Sequence, residues 1–471
     1  MASAADQKAG LPRTVAVGAF LLLMAWAPFP LGSAVSWGAG LFEVMVAGCW
    51  ALWILANIAD PAVLGPSPRH LLIPLALWLI VLLWAFLQTL PAPAGLANPL
   101  WAMASDALKM PLRPSISINP WRTDSEIVKL AAYVASCWLA YSMARNRSFA
   151  MLLFAGLIVI STAYAVYGFG LGMAGTSQAQ IIYHFHLPRA PLSGPFMLHN
   201  SFATYAGLGF LAAISLFFSG SASSMVRDRG ARRFLFSIGH YVMGRGFLPF
   251  LAALILFSAV VASNSRGGVM AMLGASLFMG AIAMVLARRI NNLWAAGMVL
   301  APLFLLSILV SVQNAELQRR FSDVLNAGTT DEVRLALWHA ALRMIQTVPW
   351  QGLGLGTFQD AYPLYANQVL PYVLDKAHCD YLELAAGLGL PAAILCWLAM
   401  AYLAAVCLLG VFQRRRDRFY VLTAASAVVL VAIHSAVDFS LQLPAVALSF
   451  CTLLGVGIAQ SRRTRSAAQD A

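Results

Sequence analysis

Continuous apolar windows recur along the chain near 14–33, 37–58, 70–91, 127–144, 148–173, 201–219, 247–263, 267–287, 293–312, 383–410, 419–436 and 441–460. Most come close to the roughly 20 residues that carry a helix across the hydrocarbon core of a bilayer. Runs such as 251–262, LAALILFSAVVA, are apolar without interruption. Barrel strands alternate instead, so the pattern predicts helices and excludes a β-barrel. The twelve windows predict an all-α polytopic membrane protein of about 12 transmembrane helices. No small-residue cleavage site followed by a polar stretch separates the first two windows, so the first reads as a span and not a signal peptide.

The polar segments divide the chain into three regions. Residues 1–312 hold spans one to nine, with two longer outer loops at 92–126 and 174–200. Residues 313–382 form a long polar connection, and 383–471 hold the last three spans and a basic tail. Short connections on one side carry Arg145 and Arg147, then Arg227, Arg229, Arg232, Arg233 and Arg245, then Arg288 and Arg289, then Arg414, Arg415, Arg416 and Arg418. The tail adds Arg462, Arg463 and Arg465. Basic residues concentrate in cytoplasmic loops. An even span count then puts both termini in the cytoplasm and 313–382 outside.

Composition agrees with this pattern. Of 471 residues, 61% are hydrophobic and 10% charged, which excludes a water-soluble enzyme. The net charge of +12 would suggest nucleic acid in a soluble protein. Here the arginines mark topology, and no nucleic-acid partner is expected. Cys49, Cys137, Cys396, Cys407 and Cys451 lie within or at the edge of spans and read as small core residues. Cys379 alone falls outside, without a disulfide partner.

Within the long connection, AELQRRFSDVL predicts one short helix and DEVRLALWHAALRMIQ a second. Thr330 is the N-cap of the second, with Asp331 and Glu332 in its first turn, and Pro349 stops it. The GLGLG stretch at 352–356 follows a helix and lacks the full glycine pattern of a phosphate loop. It reads as a turn.

Charged groups are costly in hydrocarbon, so those near it point to function or pairing. They gather at the outer boundary: Arg189, Arg266, His378, Asp380, Glu383, and His434 with Asp438. Arg266 stands in SNSRGG, between two spans with almost no loop. Its small neighbours allow close backbone approach, and its guanidinium offers a planar fork for phosphate. Arg189 shares its loop with His184, His186 and His199. His184 and His186 have the spacing of two extended-strand ligands, but no carboxylate lies close enough in sequence to complete a metal site, and none is expected. His378 opens HCDYLE where the long connection re-enters the membrane. By residue type it reads equally as a base oriented by Asp380 or Glu383 and as a helix-entry histidine with Glu383 as a first-turn carboxylate. His434 and Asp438, spaced i,i+4 on one helix face, read as a supporting polar pair or a packing contact.

Taken together these residues resemble the O-antigen ligase and O-antigen polymerase superfamily of polytopic glycosyltransferases. The likeness is carried by Arg334, Trp338, Pro349, Gly352, Gly354, Phe358, His378, Tyr381, Leu382, Glu383 and Gly387. It is supported by Arg189 to Asn200 (RAPLSGPFMLHN), by Ser265 to Gly267, and by SINPWRT at 117–123. Where the family often has Asn or Ser after the histidine, this chain has Cys379.

The resemblance implies a GT-C-like membrane glycosyltransferase with a large, partly helical periplasmic loop. It implies transfer of a polyprenyl-pyrophosphate-linked glycan to a sugar acceptor at the outer face of the bacterial inner membrane. The acceptor is lipid A core for a ligase and another lipid-linked glycan for a polymerase, and the ligase is the expectation taken here. Arg189 and Arg266 are the expected pyrophosphate ligands and His378 the expected base. Asp380, Glu383, Asn200, His434 and Asp438 stand behind them, and neither a nucleotide sugar nor a metal cofactor is required. A lipid or solute transporter is the alternative of another class, and it would need a polar path through the midplane that these spans do not offer.

Overall fold

The computed structural model describes residues 10–58, 69–93, 95–184, 191–225, 240–241, 243–287, 330–366, 375–414 and 416–462. Among these the regular structure is helical, with one isolated antiparallel bridge between Pro91 and Ser115. Long apolar helices make up the bundle: α1 (Leu11–Trp26), α2 (Ser36–Ile58), α3 (Leu72–Thr89), α5 (Pro120–Ala144), α6 (Arg147–Met173), α8 (His199–Met225), α9 (Phe247–Ala262), α10 (Arg266–Ala287), α14 (Leu390–Gln413), α15 (Arg418–His434) and α16 (Pro444–Ala459). The shorter helices are α4 (Leu100–Leu108), α7 (Gln178–Tyr183), α11 (Thr330–Thr347), α12 (Phe358–Tyr365) and α13 (Asp380–Leu388). Seven helices are long and apolar enough to cross a membrane, and α1, α9, α15 and α16 are shorter apolar helices of the same bundle. Eleven of the twelve apolar windows thus fall on helices. The ninth, 293–312, lies outside the described residues, as does the short helix expected at 315–325.

Two window boundaries shift for local reasons. The fourth span starts at Pro120 and not near 127, because the Asn119 side chain accepts from the Arg122 N–H and Pro120 takes the first helical position. The end of the 92–126 loop is therefore helical. The tenth window is broken in two at Gly389, whose φ of +80° ends α13 one residue before α14 begins.

Side chains tie the helix ends together at each end of the bundle. At one end Arg147 pairs with Asp417 at 2.9 Å, Arg414 grips the Gln460 carbonyl at 2.6 Å, and Gln460 donates to the Ala144 carbonyl. This is the arginine-rich end. At the other, the Gln88 side chain at the end of α3 donates through Nε2 to the Gln351 and Gly387 carbonyls, and its Oε1 accepts from the Leu355 N–H. Trp84 caps the Leu388 carbonyl at 2.8 Å.

Residues 330–366 build a small core of their own over this second end. Leu337, Ala340, Ala341 and Met344 of α11 pack with Phe358, Ala361 and Tyr362 of α12, and with Leu353, Ala377 and Ala386. The GLGLG stretch is the turn that seats this cap. Gly352, Gly354 and Gly356 all have positive φ, and the turn lies along α13, with Leu353 and Gly354 donating to the Ala386 and Gly387 carbonyls. A Cβ on Gly352 would collide with the Gly387 carbonyl, and one on Gly356 would collide with the Glu126 side chain. Only glycine meets both the backbone angle and the approach.

Candidate active site

His378 sits at the cap-to-membrane junction in a left-handed conformation, φ +51°. Non-glycine residues adopt that region rarely and need their surroundings to hold them there. Four contacts do so. The Glu383 carboxylate accepts from the Ala377 N–H at 2.8 Å and pairs with Lys376 at 3.3 Å. Asp380 donates its N–H to the Ser435 carbonyl, and Trp338 of α11 reaches the His378 carbonyl. The imidazole stands edge-on to Phe439, with ring centres 4.8 Å apart.

The carboxylate facing His378 is Asp438. His378 Nδ1 and Asp438 Oδ1 lie 3.4 Å apart, and neither atom has a hydrogen-bond partner among the described residues. The imidazole is 26% exposed while Asp438 is 1% exposed, so the charge is sealed behind a ring that still reaches the surface. Asp438 is held by Ser440, which donates at 2.5 Å. Burial pushes its carboxyl up, but His378, His434 and Ser440 outweigh this and hold it below the ordinary carboxylate range.

His434 and Asp438 do not share a helix face. α15 ends at His434, and Asp438 lies in the following turn, bent back to 4.0 Å from the ring. The His434 ring is 2% exposed and shares a 2.6 Å hydrogen bond with Thr204 of α8. Gly267 lies against the same ring, its missing side chain making room for it and for Val437. Arg266, at the first position of α10, is exposed and has no hydrogen bond or ion pair among the described residues. It is therefore a free cation beside a histidine-lined wall. Arg334 of α11 lies close enough for its charge to act on His434.

The other expected residues take different places. Asp380 does not touch His378. It accepts from Ser435 at 2.7 Å and Gln442 at 3.0 Å, and burial together with the Glu383 and Asp438 charges pushes its carboxyl up to about 7 against those two hydrogen bonds. Glu383 acts on the backbone before His378 and not on the ring. Asn200, the second residue of α8, is half-buried and accepts from Thr204 through its carbonyl. Arg189 and His186 lie outside the described residues, whereas His184 caps α7. Among the described residues no group of three His, Cys, Asp or Glu is arranged to hold a metal.

Several polar groups here escaped the sequence reading. Thr204 is an ordinary helix residue whose partner, His434, is distant in sequence, while Lys376 and Ser440 are ordinary loop or turn residues that bond to the nearby Glu383 and Asp438. Lys129 gave a signal: it stands inside an apolar window, three residues after Glu126, and the two pair at 2.5 Å within α5.

No curated protein matches the chain. Residues 251–397, from α9 to the first turns of α14, match the family model described as O-Antigen ligase, so the likeness to that superfamily is carried by the segment that holds Arg266, His378, Asp380 and Glu383.

Proposed function

We propose that this membrane protein transfers a glycan from a polyprenyl-pyrophosphate donor to lipid A core, as an O-antigen ligase, on the periplasmic face of the bacterial inner membrane. One observation supports it above the others: a partly exposed imidazole backed by a sealed carboxylate, at the same end of the bundle as an arginine in the matched segment that has no partner among the described residues. Both termini are cytoplasmic, the bundle has twelve spans, and the long 313–382 connection is periplasmic.

Asp438 fixes the tautomer in which His378 carries its proton on Nδ1, leaving the Nε2 lone pair toward solvent. That nitrogen takes the proton from the acceptor hydroxyl as its oxygen attacks the anomeric carbon. The bond from that carbon to the pyrophosphate oxygen breaks, and the electron pair leaves with the lipid pyrophosphate. Arg266 and Arg189 hold the growing negative charge through charge-assisted hydrogen bonds. A pyrophosphate already leaves readily, so no metal or nucleotide is required. Arg334 adds positive charge to the histidine-lined wall, and His434, Asp380, Glu383 and Asn200 support the frame.

Purified protein in lipid, given donor glycan, lipid A core and chelator, should form the glycosidic bond without nucleotide. Loss of product with chelator would reverse the metal-free reading. A deletion strain separates the closely related polymerase, which would leave core carrying one repeat instead of bare core. Absence of transfer to every acceptor would favour a transporter.

A further inference from the structure

A cavity of about 510 Å³ runs down from α13 between α3, α5, α14, α15 and α16. That volume lies within the range of ordinary ligand pockets. Its walls are apolar, with Trp78, Trp138, Trp397, Met400 and Phe450 among them. The lining residues Ala401 and Ala432 are exposed, so the cavity opens sideways between helices toward the bilayer. Its upper end is polar: Glu126, Lys129, Asp380, Glu383 and Gln442 all face it, and Gly356 closes over Glu126.

A hydrocarbon chain fits such a slot, and the charges at the upper end select its headgroup. Three carboxyl groups face one ammonium there. Lys129 is already committed to Glu126 at 2.5 Å, and the further Lys376 to Glu383 at 3.3 Å. A phosphate joined directly to the chain would meet this end with unpaired negative charge, which is costly where water is scarce. Hydroxyl and amide groups would instead donate to the carboxylates and accept from Gln442. The cavity also shares two elements with the His378 site. Asp380 and Ser435 line it and bond to each other at 2.7 Å, while His378 precedes the first and Asp438 follows the second.

We propose that this cavity is the seat of the acceptor lipid: it takes one acyl chain of a glycolipid whose chain joins its sugar through an ester or amide, and it rejects a chain that ends directly in phosphate. The assignment of that lipid as acceptor rests on the transfer reading above, whereas the chemistry of the site does not. It places the polyprenyl pyrophosphate elsewhere, on the Arg266 side of His378.

The test uses the full-length protein in lipid nanodiscs and two photoreactive probes with a diazirine near the chain terminus, an N-acyl glucosamine and an isoprenyl phosphate. The expected result is at least tenfold more labelling of peptides holding Trp138 and Met400 by the acyl sugar, abolished by excess unlabelled acyl sugar. Ala401→Trp, which fills an exposed edge of the slot, should lose this labelling, while His378→Ala should keep it. Labelling that does not compete in the wild type marks bulk bilayer lipid only and overturns the proposal, as does equal or preferred labelling by the isoprenyl phosphate. Competition in the wild type decides the matter even if Ala401→Trp does not fold. Because no arm reads catalysis, a failed transfer assay leaves this result standing.

Discussion

The imidazole of His378 and the carboxylate of Asp438 face each other at 3.4 Å, the first from the loop before α13 and the second from the turn between α15 and α16. Each belongs to a different return of the chain to the same end of the bundle. The pair has the form of a base and its orienting acid, and it sets the first expectation.

His378→Ala should abolish transfer, with donor binding largely kept. Asp438→Asn should lower kcat by about 10²-fold or more with little change in KM, the size of a general-base contribution. It should also alter the pH profile of kcat, which loss of packing alone would not do. Because the two act as one unit, the double variant should be no worse than His378→Ala. Steady-state kinetics on the reconstituted protein measure all three, and full activity in His378→Ala would end its assigned role.

Arg266→Ala and Arg189→Ala should each lose transfer by about 10²-fold, on the order of 3 kcal/mol of transition-state stabilisation. Arg266 makes no hydrogen bond or ion pair among the described residues, so its removal should leave the melting temperature unchanged. Lysine at either position should restore little, since a point charge does not reproduce the planar fork. Wild-type rates in both alanine variants would remove the arginines from the mechanism.

Gly352→Ala should destabilise the cap by more than about 1 kcal/mol, because φ is +70° and a Cβ would strike the α13 backbone. A fluorescence melt in detergent should fall, and limited proteolysis should cut first within 330–366. An unchanged melt would show that the turn is looser than its packing implies.

The Asp380 carboxyl, with a folded value near 7, keeps a proton that the unfolded chain releases near pH 4. The stability it contributes is therefore complete below about 4 and is lost as pH rises through 7. Wild-type protein should melt lower at pH 8 than at pH 5 relative to Asp380→Asn, which has no proton to lose. Parallel curves for the two proteins across that window would refute the assignment.

Reporter fusions after Arg229 and after Gln351 should give opposite sidedness, cytoplasmic and periplasmic respectively. The expectation follows from the arginines gathered at one end of the bundle. Equal sidedness would invert the topology and the placement of every role above.

Hydrophobic pattern alone determined that the chain is helical and membrane-embedded, because apolar runs of this length have no other stable form in lipid. Residue type and spacing also marked GLGLG as a turn and His378, Arg266 and Asp380 as groups at a boundary. Only the tertiary structure decided which of them meet. Asp380 and Glu383 are nearest to His378 in sequence, yet helix geometry turns them toward Ser435, Gln442 and the Ala377 N–H. Asp438 reaches the ring instead, because α15 stops at His434 and the turn bends back. Lys129 stands in an apolar window three residues after Glu126, and only the cavity that α3, α14, α15 and α16 close around it shows what the pair faces. Periodicity reports how each segment faces its surroundings, whereas pairing between segments depends on how the helix ends are brought together, which no single stretch of sequence encodes.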